Sequence, residues 1–417
     1  REAEAIARAA LRDTIVAPFV RASAPLFGRR SRSGVGADVA PRPETSDDTN
    51  GPTKTSHAPY AVCAEYPARL NLAGGWTDTP PYSLERGGAV LHVAVLTEES
   101  ERPGSSSGGG RLRRPIAATV SVRSDVSARG VVRLVTDAAR GAEAQTETVA
   151  STRELLKHDD PTHAFALLRA AVCLAVCPEC VPLLEKDTRA DGKTRTEKDV
   201  PLPDLAAALE AFTGVKNAGL EVRARVDLPR GSGLGTSSVL ALALLHALHE
   251  AGTRERWEPG GLKPGERWAG RTNVLRFGKE GIGEVDARAS ASRATSRSPS
   301  ARDAFNAVLA VEQMMTTGGG WQDQIGGALE GARLTRSRPA LMPECFLSDE
   351  LECLPSYATR AAALPPAAAA FLSRRLVCVF TGTCRLAATV ARSVVDAWTR
   401  RAPGVETALR TCAALGA

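Results

Sequence analysis

Three short stretches of this chain carry residue types at spacings that could do chemistry on a phosphorylated ligand. The first is Pro229-Arg-Gly-Ser-Gly-Leu-Gly-Thr-Ser-Ser238. Its three glycines let the backbone approach an anion closely and adopt positive φ values that other residues resist. Thr236, Ser237 and Ser238 follow where a Leu/Ala-rich helix is predicted to begin, so unpaired N–H groups and the positive end of a helix dipole would face the ligand. A ligand-free Gly/Ser turn is the plainer alternative, and the other two stretches weigh against it. Pro67-Ala-Arg-Leu-Asn-Leu-Ala-Gly-Gly-Trp-Thr-Asp78 sets a cation (Arg69), an amide (Asn71) and a carboxylate (Asp78) around a Gly-Gly bend. Thr316-Thr-Gly-Gly-Gly-Trp-Gln-Asp-Gln-Ile-Gly-Gly327 adds Asp323 beside another flexible turn. Just upstream, Phe305, Val308 and Leu309 mark a helix face at i, i+3, i+4, and Glu312 occupies i+7 of that apolar stripe. A carboxylate there needs a partner to offset its burial. A Mg2+ bridging phosphates would serve, as would a salt bridge to one of the many arginines.

The elements that must hold these residues are legible in outline. Leu220–Val226 alternates apolar and charged residues with the period of a half-buried strand, and it feeds the glycine loop. The loop runs on into a predicted helix over Val239–His249. Gly88–Leu96, Ile116–Val122 and Val131–Val135 are strand-like, and Leu376–Phe380 is a short buried-strand candidate. Residues 1–20 have helical periodicity, and residues 23–58 have a linker composition. From Gly252 to Ser300 the pattern dissolves into Gly, Arg, Ser and Pro, which predicts a long, poorly ordered insertion. The chain therefore divides into an N-terminal helix and linker (1–59), a loop-bearing domain (60–251), the insertion (252–301) and a C-terminal domain (302–417).

Composition bounds the remaining choices. With 417 residues, 43% hydrophobic and 4% aromatic, the chain is long enough for two aliphatic cores. Its net charge of +6 comes without a basic block interleaved with aromatics, so nucleic acid is not an expected partner. The apolar run Ala164–Val176 is too short to span a bilayer and carries Arg169, and the N-terminus has no secretory-leader pattern. No membrane partner and a cytoplasmic location are expected. Among nine cysteines, Cys173, Cys177 and Cys180 have the C-x3-C-x2-C spacing of an iron–sulfur site, but the first two lie in an apolar helical run. They are expected to be core residues.

In this order, the three motifs resemble the GHMP kinase family of small-molecule kinases. Asn71-Leu-Ala-Gly-Gly-Trp-Thr-Asp-Thr-Pro-Pro81 and Thr316–Gln324 are most similar to the family's fucokinase branch, and heptose-phosphate kinases share much of both. The resemblance covers roughly residues 60–250 and 302–400. It implies an α+β fold of two domains, a ribosomal S5 domain 2-like N-terminal domain and a ferredoxin-like C-terminal one. ATP would bind between them. It implies ATP-dependent phosphorylation of L-fucose at its anomeric hydroxyl, with Mg2+. Other expectations are a heptose-phosphate, arabinose or galactose kinase, or an inactive nucleotide-binding homologue.

The resemblance also assigns roles by position. Asp323 corresponds to the carboxylate that takes or orients the proton of the attacking hydroxyl, and Arg69 to the cationic residue that keeps it ionised and helps stabilise charge on the transferred phosphoryl. Pro229, Gly231, Ser232, Gly233, Leu234, Gly235, Thr236, Ser237 and Ser238 correspond to the nucleotide loop. Ser237 and Glu312 correspond to the Mg2+ ligands, and Asn71, Gly75, Trp76, Asp78, Gly320 and Gln322 to the sugar site. Trp76 stands where galactose kinases carry His, so its flat face would pack on the methyl end of a 6-deoxy sugar or, alternatively, in the core. The family's third glycine-rich motif has no counterpart before Ala417, and the chain opens on Arg rather than Met. Both features suggest a piece of a longer polypeptide, in which a pyrophosphorylase domain would precede Arg1.

Overall fold

The computed structural model describes residues 60–98, 112–137, 143–180, 202–229, 231–254, 257, 262, 267–278, 281–285, 299–315, 317–339, 356–361, 366–380, 382 and 387–416. The N-terminal helix and linker predicted for residues 1–59 lie outside the described residues.

The fold is α+β. Its strands are β1 (Tyr60–Tyr66), β2 (Ala68–Ala73), β3 (Ala89–Val95), β4 (Thr97–Glu98), β5 (Leu112–Arg113), β6 (Ile116–Arg123), β7 (Val132–Thr136) and β8 (Gln145–Val149). They continue with β9 (Gly219–Val226), β10 (Arg271–Gly278), β11 (Gly281–Val285), β12 (Ala332–Arg338) and β13 (Ser356–Ala361). One sheet has the order β11-β10-β1-β6-β9-β7-β8, antiparallel except for the β7–β9 pair. A second, antiparallel sheet has the order β13-β12-β3-β2.

β9 follows its period-two pattern: Leu220, Val222 and Ala224 are buried and the alternating charged residues are not. That buried face packs on the helix Thr236–Thr253, which begins at the end of the glycine loop. Every residue of this helix from Ser238 to Ala251 is buried. A helix apolar all round belongs inside a core. Strands β1 and β6 cover one side of it, and the helices Ala166–Val176 and Ala301–Met314 cover the other. Cys173, Cys177 and Cys180 sit in this core, where burial and neighbouring thiols push the thiol groups of Cys173 and Cys177 up.

The helix Ala301–Met314 starts with a reciprocal capping box between Ser300 and Asp303, which fixes its first turn and hence the position of Glu312 on its inner face. Strand β12 lies beside β3, so segments on both sides of residues 252–301 share one sheet and one core.

Two sequence-based expectations need correction. The stretch from Gly252 to Ser300 is not wholly irregular: β10 pairs with β1 from Tyr60↔Arg276 to Glu65↔Arg271, and β11 extends the sheet beyond it. Trp257, in the same stretch, is 3% exposed. A strand gains its ladder from the edge it joins, and β1 offered a free edge that composition cannot reveal. Conversely, Leu376–Phe380 is exposed coil rather than a buried strand, with Val377 77% and Val379 80% exposed. Among the described residues no sheet edge pairs with it, and an apolar run without a ladder partner does not become a strand.

Candidate active site

The short sheet and the glycine loop meet at Arg69. This residue lies on β2, is 3% exposed, and its backbone N–H donates to the Leu234 carbonyl at 3.2 Å. That bond ties the glycine loop to the strand. Asp323, in the first turn of the helix Gln322–Ala328, forms an ion pair with the Arg69 guanidinium. Asp323 also lies directly against the loop, since a Cβ on Gly235 would stand 3.0 Å from its Oδ1. Gly235 has φ +69°, and Gly231 and Gly233 have +70° and +74°, so the loop uses all three glycines in the left-handed region. The three motifs therefore converge as the loop-and-acid reading requires. Among the described residues no side chain caps the helix that begins at Thr236, which leaves its first N–H groups available to an anion.

Glu312 is buried, at 4% exposure. Its Oε1 accepts from Ser238 Oγ at 2.8 Å and its Oε2 accepts from Thr317 Oγ1. Gly319 passes beside the same carboxylate, where a Cβ would lie 3.0 Å from Oε2. The serine expected beside Glu312 as a metal ligand was Ser237, but the structure leaves Ser237 exposed and brings its neighbour Ser238 to Glu312. Consecutive helical residues point about 100° apart, so only one of them can face the neighbouring helix. A buried carboxylate with hydroxyl neighbours beside the glycine loop is an oxygen-donor set of the kind a hard cation takes. The residues fit Mg2+, and Glu312 with Ser238 would hold it.

Asp78 is 1% exposed and within electrostatic reach of Arg69. It accepts from Gln322 N at 3.2 Å and from Gln322 Nε2 at 2.8 Å. Gly320 is required here, because a Cβ would lie 2.0 Å from Asp78 Oδ2. Asn71 Nδ2 and Gln322 Oε1 lie 2.0 and 3.7 Å from a Cβ position on Gly75, so Asn71, Gly75 and Gln322 are adjacent. Gln322 Oε1 is buried without a hydrogen-bond partner among the described residues, as a group awaiting a hydroxyl donor would be.

Burial raises the Asp78 carboxyl from 3.8 to about 6, against the opposing pull of the Gln322 N–H and Arg69. Burial also lowers Arg69 to about 10, with Asp78 acting in the other direction, and the guanidinium stays cationic at neutral pH. A carboxyl with a raised folded-state pKa costs stability above that pKa and ceases to cost it as pH falls towards the unfolded value. Asp78→Asn should therefore gain stability relative to the parent between pH 4 and pH 7.5, by up to about 3 kcal/mol. Urea midpoints across that range measure it. A pH-independent difference would show that Asp78 is not strained by its burial.

Trp76 has φ 73° and is half-buried against Tyr82, Trp398 and Leu409. The ring is thus partly engaged by the helices Ala387–Thr399 and Val405–Gly416, so core packing accounts for at least one of its faces. The sequence reading missed His92, a buried residue of β3 beside Arg69, because a histidine in an alternating strand carries no motif signal.

Comparison with known proteins bears on this arrangement. Residues 204–258, which span the strand, loop and helix just described, match the profile of the GHMP kinases N terminal domain. The segment that packs against Asp323 therefore carries the sequence pattern of that domain. Over 363 residues the chain is 26% identical to the bifunctional fucokinase/GDP-fucose pyrophosphorylase of Arabidopsis thaliana, covering 86% of this chain and 24% of that protein. Over 315 residues it is 27% identical to the L-fucokinase/L-fucose-1-P guanylyltransferase of Bacteroides fragilis, covering 75% and 24%. The chain spans about a quarter of the length of these curated relatives. Among solved structures, a D-glycero-D-manno-heptose 1-phosphate kinase from Bacteroides thetaiotaomicron aligns at 16% identity and a TM-score of 0.32, over 66% of this chain and 56% of that one. No helix among the described residues is long and apolar enough to cross a membrane.

Proposed function

We propose that the protein is an ATP-dependent sugar kinase that phosphorylates the anomeric hydroxyl of L-fucose to give L-fucose 1-phosphate and ADP. The observation that carries this reading is the contact of Asp323 with both Arg69 and the backbone of Gly235, which sets an acid against a phosphate loop. Phosphoryl transfer needs little covalent chemistry from a protein. It needs an in-line arrangement, neutralised charge and a place for one proton.

Each of these needs has a residue. The loop N–H groups from Gly231 to Ser238 would hold the nucleotide phosphates. Asp323 would accept the proton of the sugar hydroxyl as its oxygen bonds the γ-phosphorus and the β–γ bridge breaks. Arg69 keeps Asp323 ionised and offers positive charge to the transferred group. Mg2+, when bound at Glu312 and Ser238, supplies neutralisation of phosphate charge. Asp78 and Gln322 would orient the sugar hydroxyls, with the free Gln322 Oε1 as an acceptor. Fucose is favoured over other sugars by the names of both curated relatives, which pair a fucokinase with a second, nucleotidyl-transferring activity. The same pairing within one longer cytoplasmic polypeptide is part of the proposal.

Purified protein supplied with ATP and Mg2+ should release ADP with the highest kcat/KM for L-fucose, against galactose, arabinose and heptose phosphate. A higher kcat/KM for another of these sugars would reassign the substrate. Absence of sugar-dependent ADP release from protein that binds ATP would remove the kinase reading for this chain.

A further inference from the structure

Two buried polar atoms beside Arg69 lack partners among the described residues, and they are complementary. One is Arg69 Nε, whose N–H can only donate; the other is His92 Nδ1. His92 is fully buried on β3, the strand next to β2, in register with Asn71. The two side chains meet over Gly326. A Cβ there would lie 2.4 Å from Arg69 Cγ, 3.1 Å from Arg69 Cδ and 2.9 Å from His92 Nδ1. Since Nε is the atom after Cδ, the donor and the ring nitrogen lie in the same small space that Gly326 leaves open.

The tautomer follows from the partners of the two ring nitrogens taken together. His92 Nε2 is 2.8 Å from Thr335 Oγ1, and Thr335 is itself fully buried. A neutral imidazole has one N–H and one lone pair. Burial, with Arg69 and Arg333 nearby, lowers the ring to about 3, which agrees with a neutral ring at this place. If the proton sat on Nδ1, an N–H would face a guanidinium whose Nε–H also needs an acceptor, and two buried donors would be left unmet. With the proton on Nε2, the ring donates to Thr335 and turns its lone pair towards Arg69.

We propose that His92 is a positioning residue for Arg69: its Nδ1 accepts the Arg69 Nε–H, directly or through one buried water, and so fixes the plane of the guanidinium whose far edge meets Asp323. Arg69 lies on β2, but its guanidinium must stay on Asp323, with Asp78 within its electrostatic reach. Holding Nε from behind removes the rotation about the Cδ–Nε region that would otherwise let the fork swing off Asp323. Gly326 belongs to the same device, because any side chain there would separate ring from guanidinium. The kinetic consequence rests on the kinase reading, while the hydrogen bond itself does not.

The test therefore has two arms. Histidine-selective 15N labelling of the full chain gives six ring systems to assign, since the sequence has six histidines. His92, identified by its loss in His92→Gln, should be a neutral Nε2–H tautomer with a hydrogen-bonded Nδ1 at pH 7. An Nδ1–H tautomer, a charged ring or a Nδ1 shift typical of a free lone pair would overturn the proposal. The assignment needs only enough soluble His92→Gln to show which ring signal is lost, and contacts between the ring and Thr335 check it in the unaltered protein. This arm therefore decides the question even if the chain turns over none of the sugars tried.

The second arm compares His92→Asn with His92→Gln. Asn carries an acceptor near the place of Nδ1, and Gln carries a polar group near Nε2 only. His92→Gln should lower kcat about ten- to hundredfold, as loss of one hydrogen bond to a charged group does, with KM for ATP unchanged within about twofold. His92→Asn should recover most of kcat. Equal loss in both variants, or an effect confined to KM, would mean that the ring only fills space.

Discussion

Asp323→Asn should lower single-turnover phosphoryl transfer by about 10²- to 10⁴-fold while ATP affinity stays near that of the parent. The substitution is close to isosteric. An Asn Oδ1 can still accept from Arg69, and the contact with Gly235 tolerates it, so the phosphate loop keeps its shape. What is lost is a group able to take a proton from a hydroxyl at the moment the oxygen attacks. Rapid-quench measurements with L-fucose at saturating ATP isolate that step from product release, and calorimetry with ATP separates binding from chemistry. A rate within about threefold of the parent would mean that Asp323 only shapes the site and that solvent takes the proton.

How far the sequence already contained this site depends on the scale of the question. The glycine loop, Arg69, Asp78, Glu312 and Asp323 were legible because each is a residue type that is costly or useless without a partner. A carboxylate on an apolar stripe and three glycines ahead of a helix both demand explanation. Strand β9 was legible because Leu220 to Val226 alternates without interruption.

Other features were not, for definite physical reasons. Whether Ser237 or Ser238 faces Glu312 depends on the azimuth at which the helix packs, and residue types do not encode that angle. Strand β10 was hidden because Arg271–Gly278 is mixed in character and owes its conformation to the free edge of β1. The surroundings of Trp76 are set by Trp398 and Leu409, more than 300 residues away in sequence by arithmetic on their numbers, and no local pattern reports them. His92 was invisible for the opposite reason: its strand is so regular that a buried histidine reads as one more interior side chain.

Arg69→Met should cost about 3 kcal/mol of folding stability at pH 7.5, the lower end of the range for breaking a buried charge cluster, and abolish measurable turnover. The low end applies because the carboxylates left behind are unequal. Asp323 is 29% exposed and can be solvated, whereas Asp78 is 1% exposed and keeps its bonds from Gln322 and from nearby backbone N–H groups but no cation. The penalty is therefore mainly that of one buried anion.

Its pH dependence follows from the direction of the Asp78 shift. The carboxyl already titrates near 6 with Arg69 present, and Arg69 holds it down, so removing the cation raises it further. A raised carboxyl ceases to cost stability once protonated, so the deficit of Arg69→Met should shrink as pH falls from 7.5 to 5. Adding Asp78→Asn should recover a large part of the loss at pH 7.5 and little at pH 5. Denaturant midpoints for the two single variants and the double variant at both pH values form a cycle whose coupling term should exceed about 1 kcal/mol only at the higher pH. A deficit of equal size at both pH values would place the cost in lost packing of the arginine stem over Gly326 rather than in the charge it carries.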